Sequence, residues 1–352
     1  MGIKTAAKIV LYLVTAVVSL LLTILLVLRS EPVQTWGSRV AAAWLSAKTG
    51  ADIRIGGFYL SPSRGLQIED ISVKDHQHAL LLSAHRLGVV PGRISVGSRI
   101  LHIRSVTLEN GVVQLLTHKG DSVLNLQRIL DRLASGEKKA PDTTAGRPWD
   151  IRVESVRISG TRFHLQDENE PAAPSGMDYT NIDVSGINLD MAHVHIDGDT
   201  IKARINRLAA RERSGFTLHD FSGDFAVGPR FLKADGLRFR TDHSDVSLTF
   251  AFLYDGWTAY NDFLEKVKIR ADIQPSDLDL QDIGFFAPEV AVMKDRFGLS
   301  GRITGTVGNF KARDFRFSFG SNTRFYGNIS AIGLPNVEET FVDLDIRSLT
   351  AA

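Results

Sequence analysis

Residues 9–28 form an uninterrupted apolar run of 20 residues, with no charged residue and no proline, and this run constrains the chain more than any other feature. At about 1.5 Å rise per residue, a helix of this length spans roughly 30 Å, the thickness of a bilayer's hydrocarbon core. A secretory signal would have a shorter apolar stretch and a small-residue cleavage site, and the sequence Arg29-Ser30-Glu31-Pro32 offers no such site. We predict an uncleaved membrane anchor rather than a buried core helix. The anchor positions include Ile9, Val10, Leu11, Leu20 and Leu28.

Basic residues flank the predicted anchor on both sides. Lys4 and Lys8 precede it, and Arg29 and Arg39 follow it. The two lysines and the free amino terminus favour a cytoplasmic N-terminus, although the later arginines make this bias modest. The sequence therefore predicts a single-pass protein whose residues beyond 29 lie on the far side of the membrane.

A second helical pattern covers residues 30–50. Ser30 is a suitable N-cap, Pro32 lies in the first turn and Gly50 can end the helix. Apolar residues that include Trp36 and Trp44 recur at spacings of three and four, which places them on one face. This amphipathic helix can lie at the membrane surface with Trp36 near headgroup depth, or it can cap the following sheet; the two interpretations are compatible.

Composition excludes several classes of function. The chain has no cysteine, so it has neither a disulfide framework nor a thiol-ligated metal. Its 41 basic and 40 acidic residues are interleaved, which leaves no basic stripe for nucleic acid. No nucleophile elbow, kinase set or zinc-protease signature is present, and we predict a protein that is not an enzyme and needs no metal or cofactor.

From residue 51 onward the apolar period changes from helical to alternating, which predicts strands with one apolar and one polar face. Glycine- and asparagine-rich turns separate the strands. The predicted fold is mainly β: an N-terminal transmembrane helix, then an elongated, curled antiparallel sheet with a few short helices, one of them at residues 124–133. The candidate residues for the apolar face are Val106, Leu108, Val156, Ile158, Val246, Leu248, Phe250, Phe252, Val267, Ile269, Phe315 and Phe317.

The sequence also contains an internal repeat at an offset of 50 residues. Residues 105–115 align with residues 155–165, and apolar positions fall on apolar positions throughout, for example Val106 on Val156 and Leu108 on Ile158. Repeated strand units of this kind predict an extended sheet in which each unit contacts mainly its neighbours.

A sheet with one apolar face must cover that face, close on itself or leave an apolar trough. Helical segments are too few and too short to cover some 300 residues, so we expect a sandwich or a long curled sheet with an apolar interior. A trough open along one edge would shield lipid acyl chains at about 0.8 kcal/mol per methylene, and thus by more than about 10 kcal/mol for a chain of about 16 carbons.

Several segments resemble the start of the AsmA-like proteins, and among these the TamB-like group. They are the predicted anchor and short helix followed by residues 48–58, 64–75, 80–87 and 103–115, and the glycine-punctuated stretch 301–310. The resemblance implies a taco-shaped β-groove that is anchored in the inner membrane and continues through the periplasm. On this basis residues 1–29 form the cytoplasmic tip and anchor, 30–50 the surface helix and 51–352 the periplasmic groove repeats, which we expect to continue beyond 352.

The resemblance also implies two roles. The first is transport of phospholipid between the inner and outer membranes, with acyl chains in the groove. The second is assembly of outer-membrane proteins with a BamA- or TamA-like barrel, which regions beyond this chain would contact. The second role can use an open sheet edge for strand addition.

Overall fold

The computed structural model describes residues 42–61, 65–135, 149–173, 176–286, 295–320, 322–334 and 339–351. Fifteen strands form one open sheet and follow one another in chain order, which confirms that the protein is mainly β. Their bounds are β1 Asp52–Ser61, β2 Gly65–Lys74, β3 Leu80–Ser95, β4 Ile100–Thr117, β5 Asp150–Asp167, β6 Asn181–Asp197, β7 Thr200–Glu212, β8 Thr217–Gly228, β9 Phe231–Thr241, β10 Asp245–Leu253, β11 Lys268–Asp279, β12 Arg296–Gly305, β13 Asn309–Phe319, β14 Thr323–Ile332 and β15 Phe341–Thr350.

Short helical segments accompany the sheet. Residues 42–49 are helical (α1) and precede β1. The short helix predicted at residues 124–133 is confirmed as α2, Asn125–Ser135. A 3-10 helix, Trp257–Asp262, runs into α3, Phe263–Lys266, and α4 is Leu280–Gly284. The predicted anchor and Trp36 lie outside the described residues, and within the described part of the chain no helix is long and apolar enough to cross a membrane.

The strands pair antiparallel from β1 to β4 and from β7 to β15. The pair β4–β5 is parallel, so the prediction of an antiparallel sheet is wrong at this position. A parallel pair needs a long crossover rather than a hairpin, and α2 lies in the connection between these two strands.

The internal repeat is the register of this parallel pair. Val106 lies opposite Val156 and Leu108 opposite Ile158, so that every partner is 50 residues further along the chain. The left-handed residues repeat as well, because Asn110 (φ 49°) lies beside Gly160 (φ 60°). Matched irregularities let both strands bend together without losing register.

The described part of the chain divides into two compact units, of which the first contains residues 42–61, 65–135, 149–173 and 178–188. Its core consists of buried side chains from β2, β3 and β4, of which Leu66, Val89 and Leu101 are each 1% exposed. Helix α1 buries Leu45 and leaves Trp44 exposed. The helix thus has one face packed in the unit and a tryptophan on the other.

The second unit contains Ser175–Met177 and Leu189–Ala352. Its buried hydrophobic residues are few and several are alanines, such as Ala234 and Ala312. One compact cluster forms around Tyr254, Ala259 and Val267. Most of the large apolar side chains of this unit are half-buried or exposed.

Gly65 and Gly186 offer a matched test of the close strand packing in the first unit. Both have a left-handed φ, 67° and 61°, but an added Cβ at Gly65 would lie 2.2 Å from the carbonyl oxygen of Val89, whereas nothing lies within 4 Å at Gly186. We expect Gly186→Ala to lower the free energy of unfolding by about 1 kcal/mol, the cost of backbone strain alone. Gly65→Ala should lower it by about 3 kcal/mol or more, because main chain must also move. Urea denaturation measures both; equal effects would contradict the packing described here.

Candidate functional site

In the second unit, two rows of apolar residues cross nine strands from β7 to β15 without a polar interruption. Cross-strand partners point to the same face of an antiparallel sheet, so each row is a continuous line on one face. The first row is Ala203, Phe225, Ala234, Phe250, Ala271, Ile303, Ala312, Ile329 and Leu344. The second row is Ile201, Val227, Leu232, Phe252, Ile269, Gly305, Phe310, Ala331 and Val342.

The row between these two points to the opposite face and is mainly polar. It consists of Lys202, Ala226, Lys233, Ala251, Arg270, Thr304, Lys311, Ser330 and Asp343. Ion pairs on this face include Arg204 with Asp224, at 2.7 Å between Nε and Oδ1. The unit is therefore one sheet with an apolar face and a charged face.

The apolar face is incompletely covered. Phe225, Phe250 and Phe310 are half-buried, and the residues contributed by β15 are exposed, with Leu344 at 49% and Ile346 at 47%. A contiguous apolar surface is unusual on a soluble protein and is typical of sites that bind proteins, membranes or apolar ligands. We call this surface, formed by the two rows, the apolar trough.

Most of the sequence-predicted residues of the second unit lie on this face. Leu248, Phe250, Phe252, Ile269, Phe315 and Phe317 are half-buried there. Val246 is 7% exposed and Val267 is completely buried. Val267 lies just before β11 and packs against Tyr254 and Ala259, so its apolar side chain forms part of a core and is not accessible to a ligand.

Residues 254–267 cover one end of the strands. Tyr254 and Val267 pack with Leu232 and Phe252, two members of the second row, and Phe263 meets Phe252 edge to face at 5.5 Å between ring centroids. The Tyr254 hydroxyl donates to the carbonyl oxygen of Gly228 at 2.8 Å, and burial raises the pKa of this hydroxyl. This segment therefore covers the apolar face beside the start of β11.

Helix α4 follows β11 directly and packs near the opposite strand ends. The hydroxyl groups of Thr241 and Ser244 donate to the buried carboxylate of Asp282, which fixes the helix to the β9–β10 turn. Phe285 and Phe286 then pack edge to face on Phe216, with centroid distances of 5.6 and 5.1 Å. The strand ends are therefore covered on both sides near β8 to β11, while the apolar rows continue across the strands to β15.

In the first unit, the predicted residues Val106, Leu108, Val156 and Ile158 extend rows that begin in the core. One row runs from Leu66 through Val89 to Val106 and Val156, and a parallel row contains Leu108 and Ile158. Leu66 and Val89 are each 1% exposed, whereas the four predicted residues are half-buried. Along these two rows, burial therefore decreases toward β5.

A buried polar cluster in the first unit was not anticipated from the sequence. The Asp75 carboxylate accepts hydrogen bonds from His118 Nε2 at 2.7 Å, from Asn125 Nδ2 at 3.0 Å and from the backbone N–H groups of Gln77 and Ala79 at 2.8 and 3.0 Å. Burial alone would raise the pKa of Asp75, but these four hydrogen bonds outweigh it and hold the pKa below its usual value.

This cluster connects three elements. Asp75 follows β2, His118 follows β4, and Asn125 opens α2 while its Oδ1 accepts from the backbone N–H of Leu116 at 3.1 Å. The second ring nitrogen of His118 lies 3.6 Å from a Glu168 carboxylate oxygen. Every group has a structural partner, and no set of three ligating side chains suited to a metal occurs among the described residues.

No family model, curated protein or solved structure matches this chain. The fold and the apolar trough define an open β-sheet protein whose second unit has one apolar face and one charged face.

Proposed function

We propose that this chain is an inner-membrane-anchored protein that carries phospholipid between the inner and outer membranes, with acyl chains in the apolar trough. The observation that carries the proposal is the pair of apolar rows that cross nine strands without interruption. Neighbouring strands are about 4.8 Å apart, so the rows extend for roughly 40 Å, which exceeds the length of a single acyl chain.

The composition of the rows suits a flexible hydrocarbon ligand. Large side chains such as Phe225 and Phe250 alternate with alanines such as Ala234 and Ala271 along the first row. The surface is thus ridged and apolar, with no polar group that would orient a rigid ligand. Each methylene that leaves water contributes about 0.8 kcal/mol, which favours long acyl chains.

Two further features support the membrane location in this proposal. The apolar run 9–28 would hold the chain at the inner membrane, and exposed Trp44 on α1 would lie near the bilayer surface. The periplasmic location and the outer-membrane barrel partner follow from the resemblance to the AsmA-like proteins and belong to the same proposal.

The proposal is tested by mass spectrometry of lipids that remain with the gently extracted, purified protein. We expect phospholipid in about stoichiometric or greater amount, after subtraction of the lipid retained by an unrelated single-pass protein with an anchor of equal length. A folded protein that retains no more lipid than this control would contradict the proposal.

A second candidate function is assembly of outer-membrane proteins by strand addition at β1, because among the described residues β1 pairs only with β2. Proline at the exposed position Arg54 of β1 should impair this assembly activity. Bound lipid should stay unchanged in Arg54→Pro, because the apolar trough lies on β7 to β15. Measurement of outer-membrane protein assembly alongside bound lipid separates the two functions.

A further inference from the structure

The charged face of the second unit contains a depression of about 460 Å³ between β11 and β15. Its lining includes the small residues Gly298, Ser300 and Ser318, of which Gly298 lies opposite Ser318. Arg316 and Arg324 are exposed and rise from β13 and β14, with Tyr326 between them. The depression lies on the face opposite to the apolar trough.

Aromatic stacking holds part of this site in place. The guanidinium of Arg316 lies 4.5 Å from the Tyr326 ring centroid, and that of Arg347 lies 5.2 Å from it. Arg347 Nη1 also donates to the Tyr326 hydroxyl at 2.7 Å and to Asp314 at 3.1 Å. These contacts fix the Tyr326 ring, and stacking on this ring orients the guanidinium group of Arg316.

The depression carries an excess of positive charge. Asp277 is the one carboxylate of its lining, and it already accepts from Arg296 at 2.8 Å. Asp314 is shared between Arg302 and Arg347. Within the described part of the chain, Arg316 and Arg324 have no carboxylate partner.

We propose that this depression binds a phosphate group, either of a soluble phosphate ester or of a lipid headgroup, through Arg316 and Arg324. Guanidinium forks match phosphate oxygens in geometry, and the hydroxyl groups of Ser300, Ser318 and Ser348 supply further donors. This site is independent of the acyl-chain function proposed for the other face.

The test uses the full chain in detergent, with inorganic phosphate, glycerol 3-phosphate and dihexanoyl phosphatidate as probes in calorimetric titrations. The variant is Arg316→Gln with Arg324→Gln. The matched control is Arg240→Gln with Arg270→Gln, which removes the same charge from exposed positions on β9 and β11.

We expect the site variant to bind phosphate esters about tenfold or more weakly, as loss of charge-assisted hydrogen bonds predicts, and the control to bind as the wild type does. Tighter binding of dihexanoyl phosphatidate than of glycerol 3-phosphate identifies a lipid headgroup as the ligand, and equal binding identifies a soluble ester. No binding of any probe, or equal weakening in the control, overturns the proposal. Retention of a single-stranded oligonucleotide that glycerol 3-phosphate cannot displace also overturns it.

Discussion

Replacement of Phe250 and Phe317 by aspartate is expected to remove most of the phospholipid that accompanies the protein. Both side chains are half-buried on the apolar face, and Phe317 also contacts Phe297 at 5.6 Å between centroids. A carboxylate among acyl chains loses its hydration and costs several kcal/mol, so occupancy should fall about tenfold or more. Mass spectrometry of retained lipid, corrected for the anchor control, measures the effect.

The control introduces the same charges on the opposite face of the sheet, at positions outside the phosphate-binding depression. Ala251 lies between Lys233 and Arg270, and Thr304 lies between Arg270 and Lys311. We expect Ala251→Asp with Thr304→Asp to retain lipid at the wild-type level. Circular dichroism and thermal melts establish that both variants fold. Equal loss of lipid in the two variants would mean that the apolar trough does not hold the acyl chains.

Asp75→Asn is expected to cause the largest loss of stability among the described polar residues of the first unit. The amide keeps the shape of the side chain but turns one of its two acceptor atoms into a donor that faces donor groups. An unsatisfied buried donor costs about 1–3 kcal/mol, and the charge-assisted hydrogen bonds are lost as well, so we expect a decrease of about 3 kcal/mol in the free energy of unfolding. Asp70→Asn is the control, because Asp70 is exposed and has a single His85 partner at 3.0 Å, and it should change stability by less than about 1 kcal/mol.

The contribution of Asp75 should also depend on pH in one direction. The pKa of its carboxyl in the folded protein lies below the usual value, so the unfolded chain binds a proton more readily. The stabilisation is then fully present above the unfolded pKa, about 3.9, and is lost as the pH falls through the lower pKa of the folded state. The difference in stability between wild type and Asp75→Asn should therefore shrink below about pH 4. A difference that grows on acidification would contradict this assignment.

The alternating pattern was sufficient to predict the strands, because one apolar and one polar face impose a period of two. Residues 246–252 and 267–273, for example, lie in or directly beside β10 and β11. The repeat at an offset of 50 predicted neighbouring strands but not their direction, since matched apolar positions fit either pairing. Strand direction depends on the crossover between β4 and β5, which the repeat does not contain.

The candidate site was predictable where burial follows the strand period and not where loops intervene. Val267 shows the period of β11, but the aromatic segment that precedes it folds back and buries it. The Asp75 cluster joins residues 43 and 50 positions apart in sequence, and no local pattern signals such a contact. Phe225 and Ile303 could be assigned to the first apolar row only from the pairing register of the strands, which the alternating pattern does not specify.

The most direct test of the apolar trough is photocrosslinking of lipid from adjacent positions on opposite faces. Benzoylphenylalanine is placed at Phe250 or at Ala251 in the full chain, and the protein is irradiated in its membrane before lipid adducts are measured by mass spectrometry. We predict abundant phospholipid adducts from position 250 and few from position 251, because consecutive side chains of a strand point to opposite faces. Equal yields, or adducts from position 251 alone, would contradict the claim that acyl chains occupy this face.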